Sequence, residues 1–407
     1  DLGAALGAAG AGIGVGVAVV DLANRASIGA GANVRGDSVA VAATSLRAVH
    51  GLSVAGAAVG AGIAVASYSD TTRTHAIVTG ATVEAQGAMA VTADMRAADA
   101  STPMVYLTTV AAAGVGAAAG VNVSVLKMDT LAAIQNGSIV KAALGRQGSL
   151  NVEAINDLSQ EILAVGVAGG VGGAGVSVIV EESHAVASIA GSTVEAGVST
   201  GPVGDVVVKA TTHETLQASG FGLALVNGAG GAVSVLSRSQ TTEASISGST
   251  VTASGNAGVL ANTTNDDALG LGAAGLGVGL GAGASVGVHV LSAITTARID
   301  GASNVTALGR GADLAYTAGY RAQFADYGAA DKKPGVDGLG AAGAAVDRPV
   351  SQAEVSDAAS KLLLQKRSAL DVSGAARGVV VNAAGAESLR AWAVTAGVGV
   401  AGLAMSV

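Results

Sequence analysis

Residues Gly275 to Val290 read GLGVGLGAGASVGVHV, and the alternation in this stretch decides the fold class. Glycine occupies positions 275, 277, 279, 281 and 283, and Leu276, Val278, Leu280, Ala282 and Ala284 fall between them. A period of two puts the two sets on opposite faces of a strand, whereas a helix needs 3.6. As a helix the stretch would carry five glycines, each costing about 1 kcal/mol relative to alanine, or about 5 kcal/mol together. It is therefore expected to be a strand with one nearly bare face, against which another sheet can lie closely.

Segments of the same kind recur along the chain, among them Gly12 to Val20, Val165 to Val180 and Phe221 to Val235. An isoleucine landmark follows each, at Ile28, Ile77, Ile134, Ile189, Ile246 and Ile299, with a turn glycine close behind. The spacings of 49, 57, 55, 57 and 53 residues average near 54. Between 13 and 19 residues further on comes an alternating apolar strand, such as Val39 to Val41, Leu150 to Val152, Val206 to Val208 and Leu314 to Tyr316. One such unit cannot bury its own faces, but stacked units bury each other's. The expected fold is all-β, a parallel β-solenoid of repeats of about 54 residues with one wide coil per repeat. Both ends of the sequence fall inside a repeat, which is expected of a portion of a longer array.

The pattern breaks after residue 318. Tyr316, Tyr320, Phe324 and Tyr327 hold half of the chain's aromatic residues, and Asp331 to Gly335 is a turn signal. Ser351 to Glu354 then reads as a capping box leading into Val355, Ala358, Leu362 and Leu363, an amphipathic helix inserted near 351–370. The expected organisation is solenoid repeats over 1–318, a divergent unit over 319–372, and resumed solenoid over 373–407. Tyr320, Phe324, Tyr327, Leu362 and Leu363 mark the divergent unit as a possible interaction surface.

Composition narrows the function classes. Half of the 407 residues are hydrophobic, yet the chain has one Trp, five Tyr and two Phe beside 62 glycines, so the core must be thin layers of Val, Ala, Leu and Ile. The net charge of −8 leaves no basic footprint for nucleic acid. Absence of cysteine removes disulfides and thiolate metal sites. Ala268 to Leu291 is long and apolar enough for a membrane helix, but its alternating glycines argue for strand.

Motifs that carry chemistry elsewhere lack their context here. Gly197 to Gly201 has the GxSxG spacing of a nucleophile elbow, but a strand resumes at Asp205 where a helix should follow. Two GxGxxG matches, at Gly270 and Gly338, are near what chance supplies at this glycine content. Five dispersed histidines imply no metal, and Glu181, Glu182 and His184 read as a solvated turn. The acidic residues read as scattered singly through loops, without the paired carboxylates of a glycosidase. No enzyme and no cofactor is therefore expected. Arg35, Gly36 and Asp37 form the tripeptide that cell-surface receptors read on an exposed turn; Arg, Gly and Asp are also this repeat's ordinary turn chemistry.

A Gly/Ala-rich GAGxGVxV strand, an AxIxG turn and a φxφxA strand, repeated in this order, resemble the arrays of leukotoxin-like and filamentous-haemagglutinin-like adhesins of Gram-negative bacteria. The resemblance covers nearly all of the chain outside about 320–370. It implies a right-handed β-helix, export to the cell surface or medium, and a stalk role in adhesion or biofilm matrix. The partners expected of it are a receptor or glycan on a host or neighbouring cell; the alternative, read from the unpaired edges of open coil ends, is a self-assembling extracellular structural filament that associates end to end or side by side.

Overall fold

The computed structural model describes residues 2–7, 10–98, 103–197, 199–226, 228–277, 280–325, 366–398 and 401–407. Among them the chain is all strand and turn, with no helix. Each repeat supplies two long strands and one short strand, shown most plainly by Leu150–Ala168, Gly172–Ala190 and Thr193–Ala196. The first long strands form one wall, the second long strands run back as a facing wall, and the short strands close one end.

Apart from one antiparallel pair described below, the long and short strands pair in parallel with their counterparts one repeat away. Leu150–Ala168 lies beside Val206–Ala224 over its full length, and Gly172–Ala190 beside Ala229–Ser247. Like side chains therefore stack in ladders: Ile134 on Ile189 on Ile246 on Ile299, and Val152 on Val208 on Val259. In the second unit the ladder position is held by Val78, paired with Ile28 and Ile134, and not by Ile77. The strand period explains that correction, because one residue of slip would turn the side chain to the other face.

The short strands make a six-stranded sheet, and both walls belong to one fourteen-stranded sheet folded over on itself. Val49–Thr79 and Val105–Gln135 run without a break through the fold. They bend at Gly60 and Gly116, whose φ angles of 117° and 134° suit only glycine. Later repeats turn at the same place through short Gly-containing links such as 169–171.

The cross-section is thus a wedge. Its broad end, against the short strands, is filled by inward Ile, Val, Met and Leu, including Met89, Leu150, Val194, Val208 and Ile246. Its thin end is filled by glycine and alanine. A Cβ added to Gly220 would lie 2.9 Å from both Gly175 O and Val233 O, so the facing backbones nearly touch. Sheets separated by ordinary side chains stand about 10 Å apart; here the small residues let the walls close.

The stretch from Gly275 to Val290 sits at this thin edge, and it is not one strand. Ala257–Leu276 ends inside it and Leu280–Asp300 begins inside it, while the Gly277 amide bonds to Val398 O at 2.8 Å. The bare face is real on both arms, since Gly275, Gly281 and Gly283 point inward and are buried.

After Asn304–Ala307 the chain leaves the stack. Leu314–Ala325 pairs antiparallel with Lys366–Ala376, and Val379–Val398 then takes the next place beside Ala257–Leu276. The sixth ladder position is therefore Val379 to Val381, whereas Leu314 to Tyr316 opens the excursion. Buried Asn256 ties its root: its Nδ2 donates to Ala312 O at 2.9 Å, and its Oδ1 accepts from the Gly378 amide at 2.9 Å. Of the amphipathic helix expected over 351–370, residues 351–365 lie outside the described residues, and 366–370 are strand. Their backbone groups are taken by the antiparallel partner, which leaves no helical pairing for them.

Candidate functional site

Arg35 lies in the short strand Asn33–Gly36, and Asp37 occupies the corner before Val39–Arg47. Each reaches across to another coil. Arg35 Nε lies 2.8 Å from Glu84 Oε2, and Asp37 pairs with Arg146. Both remain largely exposed, with 70 % of each side chain accessible. The tripeptide thus forms an outward corner whose charges are pre-paired along the stack, and a receptor would have to compete with Glu84 and Arg146. Exposed pairs of this kind contribute about 0–1 kcal/mol, so that competition is weak.

Tyr320 and Phe324 fall on the antiparallel excursion, opposite Asp371 and Arg367. Tyr327, Leu362 and Leu363 lie outside the described residues. Ser199 of the GxSxG match is exposed in a loop between two strands, and Arg310 Nη1 donates to its carbonyl at 2.7 Å.

Among the described residues the largest cluster of ionisable side chains is inside the wedge, and it corrects two readings of the sequence. Glu181, Glu214 and Asp267 lie on wall strands, not loops, and converge on Arg238. Arg238 Nε is 2.8 Å from Glu181 Oε2 and 3.4 Å from Glu214 Oε2, and Nη2 is 2.9 Å from Asp267 Oδ1. These four side chains have no solvent exposure. His289 Nε2 completes the group, 2.8 Å from Asp267 Oδ2. Glu181, Glu182 and His184 do not form a turn either. They are positions of the strand Gly172–Ala190, with Ser183 between the last two, so Glu181 points in, while Glu182 and His184 point out and meet at 3.5 Å.

Three carboxyl groups face one guanidinium in this cluster. Burial, and then the neighbouring Glu214 charge, push the Glu181 carboxyl well above the usual range. Burial likewise raises Asp267, against the pull of Arg238 and His289. Neither Glu214 oxygen has a hydrogen-bond partner. Favouring the protonated form of Glu181 lowers the charge excess around Arg238. Arg238 and the three carboxyl groups are sealed from solvent and tie strands of the two walls together.

A second inward cluster occupies the other end of the stack. Arg47 grips Asp70 with both Nη atoms at 3.0 Å, while Tyr68 Oη and Thr72 Oγ1 donate to the same carboxylate at 2.7 Å. Burial, followed by the Asp70 charge, raises the Tyr68 phenol. Glu181 and Arg238 pair directly across coils, and Asp70 lies two coils before Glu181 in the same inward row, with Leu126 between. This alignment was open to sequence reasoning. Asp70, Leu126, Glu181 and Arg238 each precede the ladder residue of their repeat by eight positions, an even number that puts them on the ladder's own inward face.

On the outer face of the first wall, Val165, Phe221, Gly272, Trp392 and Val394 line an open groove of about 470 Å³. Phe221 and Trp392 lean over its glycine floor with ring centroids 5.7 Å apart. No polar group converges there to orient a ligand, as small-molecule sites require. Among the described residues no group of three or more His, Asp or Glu is arranged to hold a metal ion, and no helix is long and apolar enough to cross a membrane. Comparisons with protein-family models, with curated proteins and with solved structures find no match.

Proposed function

We propose that the chain is a rigid β-solenoid stalk segment of a large adhesin, displayed on or secreted from a Gram-negative cell and acting in adhesion or matrix formation. The observation that carries this reading is the residue-for-residue parallel register from Gly10 to Ser406, interrupted by one excursion and then resumed. Such a stack adds length without adding a new kind of surface, and it transmits load through backbone hydrogen bonds in every coil. The ionisable clusters lie inside, so they strengthen the stack and do not catalyse. The corner at Arg35, Gly36 and Asp37 is the candidate receptor contact, for which a host or neighbouring cell supplies the partner.

Electron microscopy of single and tandem copies, joined in phase with the repeat, tests the reading. Seven circuits at ~4.8 Å span about 34 Å, so each added copy lengthens a straight rod by that amount. Separate beads on a flexible thread would overturn the stalk. Adhesion of cells to the immobilised chain that is lost in Asp37→Ala locates the receptor contact at the corner; adhesion indifferent to that change removes it.

A further inference from the structure

Towards the thin edge the second wall reverses the usual placement of large and small side chains. Gly14, Ala64, Gly120, Gly175, Ala232 and Ser285 point inward across six coils. The next residue in each strand points out and is valine every time: Val15, Val65, Val121, Val176, Val233 and Val286. One row nearer the broad end, Ser67 alone interrupts the valines from Val17 to Val288. The row beyond that is valine in all coils but two, where Ser69 and Ser237 stand, and the row at the edge holds only Ile, Ala and Gly. Polar side chains begin abruptly one row further on, with Asp21, Lys127 and Glu182. Val15 and Val288 are 56 % and 41 % exposed, although outward positions of a solvated sheet are normally polar.

We propose that this valine face packs against the same face of a second copy of the chain. Four rows about 6.7 Å apart across six coils about 4.8 Å apart cover on the order of 780 Å². Two such faces would bury about 1,500 Å², inside the range of about 1,200–2,000 Å² for specific, stable interfaces. The face carries no charged side chain, so a copy related by a two-fold axis meets it without repulsion. Its ridges repeat at the strand spacing, and another copy presents grooves of that same period. Paired in this way, stalks would associate side by side. The inference stands apart from the adhesin reading, because a stack of any function would carry the face.

Sedimentation velocity on the whole chain, from ~1 to ~100 μM, tests it. The expected result is a concentration-dependent dimer whose half-association point rises at least about tenfold in Val178→Glu. Val165→Glu, on the outer face of the opposite wall, leaves that point unchanged. A double Val178→Thr, Val235→Thr variant keeps side-chain shape and still weakens the dimer, with circular dichroism reporting that the strands persist. A parent chain that stays monomeric throughout overturns the proposal, as does a dimer that Val165→Glu disrupts and Val178→Glu spares. Flotation of a monomeric parent with phosphatidylcholine vesicles, lost in Val178→Glu, also overturns it and assigns the face to lipid.

Discussion

The broad and thin ends of the wedge share one backbone ladder and differ in how they are filled. At the broad end Ile, Val, Met and Leu face inward and corner charges face out. At the thin end glycine and alanine face inward and valine faces out. Parallel pairing alone thus does not determine where the core lies; side-chain volume inside the walls sets their separation, and the apolar surface displaced from the interior reappears outside. The broad end is stabilised mainly by burial and the thin end by close backbone packing. Between them lie the ionic clusters, where the walls have begun to converge.

The largest test of this division falls at the junction. Arg238→Met removes the one cation facing three buried carboxyl groups and should cost about 3–5 kcal/mol, since breaking a buried ion pair leaves uncompensated charge. Denaturant unfolding measures that loss; a cost below about 1 kcal/mol would mean that the carboxyl groups are all protonated in the parent. Next comes Ile189→Ala in the broad end, which leaves a cavity in a ladder between Ile134 and Ile246 and should cost about 2–5 kcal/mol. Gly222→Val in the thin end acts in the opposite sense, by overfilling. Its Cβ would lie 2.7 Å from the Gly231 nitrogen, and the expected cost is about 1–3 kcal/mol. Its diagnostic effect is spatial. Hydrogen exchange should speed up along the thin edge and stay slow at Ile189 and Val208 if the two ends are held by different means.

Much of this difference can be read from the sequence once the ladder is indexed. The repeat length, the parallel in-register pairing of like strands and the bare glycine face follow from Ile134, Ile189 and Ile246 and from the period of two. The bend at Gly277 does not. Glycine alternates on both sides of it, so periodicity continues where the strand does not. Ile77 misled for a related reason: it neighbours Val78, the residue with the correct parity, and hydrophobicity does not distinguish them. The Arg238 cluster was hidden by distance along the chain, because its carboxyl groups come from three repeats and meet only when parity from each ladder residue is counted. The side-by-side valine rows were present in every Gly/Ala-rich segment, but which face turned outward depends on how closely the walls approach.

The last effect is the most specific, because it depends on pH. Burial raises the Glu181 carboxyl in the folded state above its value in the unfolded chain. A group raised in this way contributes its full stability below the unfolded pKa, about 4.3 for glutamate, and loses it as pH climbs through the folded value. The parent should therefore weaken as pH rises above about 5, by up to about 1.4 kcal/mol per pH unit for one proton retained on folding. Glu181→Gln keeps a neutral acceptor for Arg238 and removes that proton linkage. Its unfolding midpoint should match the parent's near pH 4 and exceed it increasingly as pH rises, whereas Ile189→Ala should run parallel to the parent throughout. Midpoints of Glu181→Gln and parent that stay parallel across this window would place the carboxyl in its ionised form, held by Arg238 alone, and the junction would then be an ordinary buried ion pair.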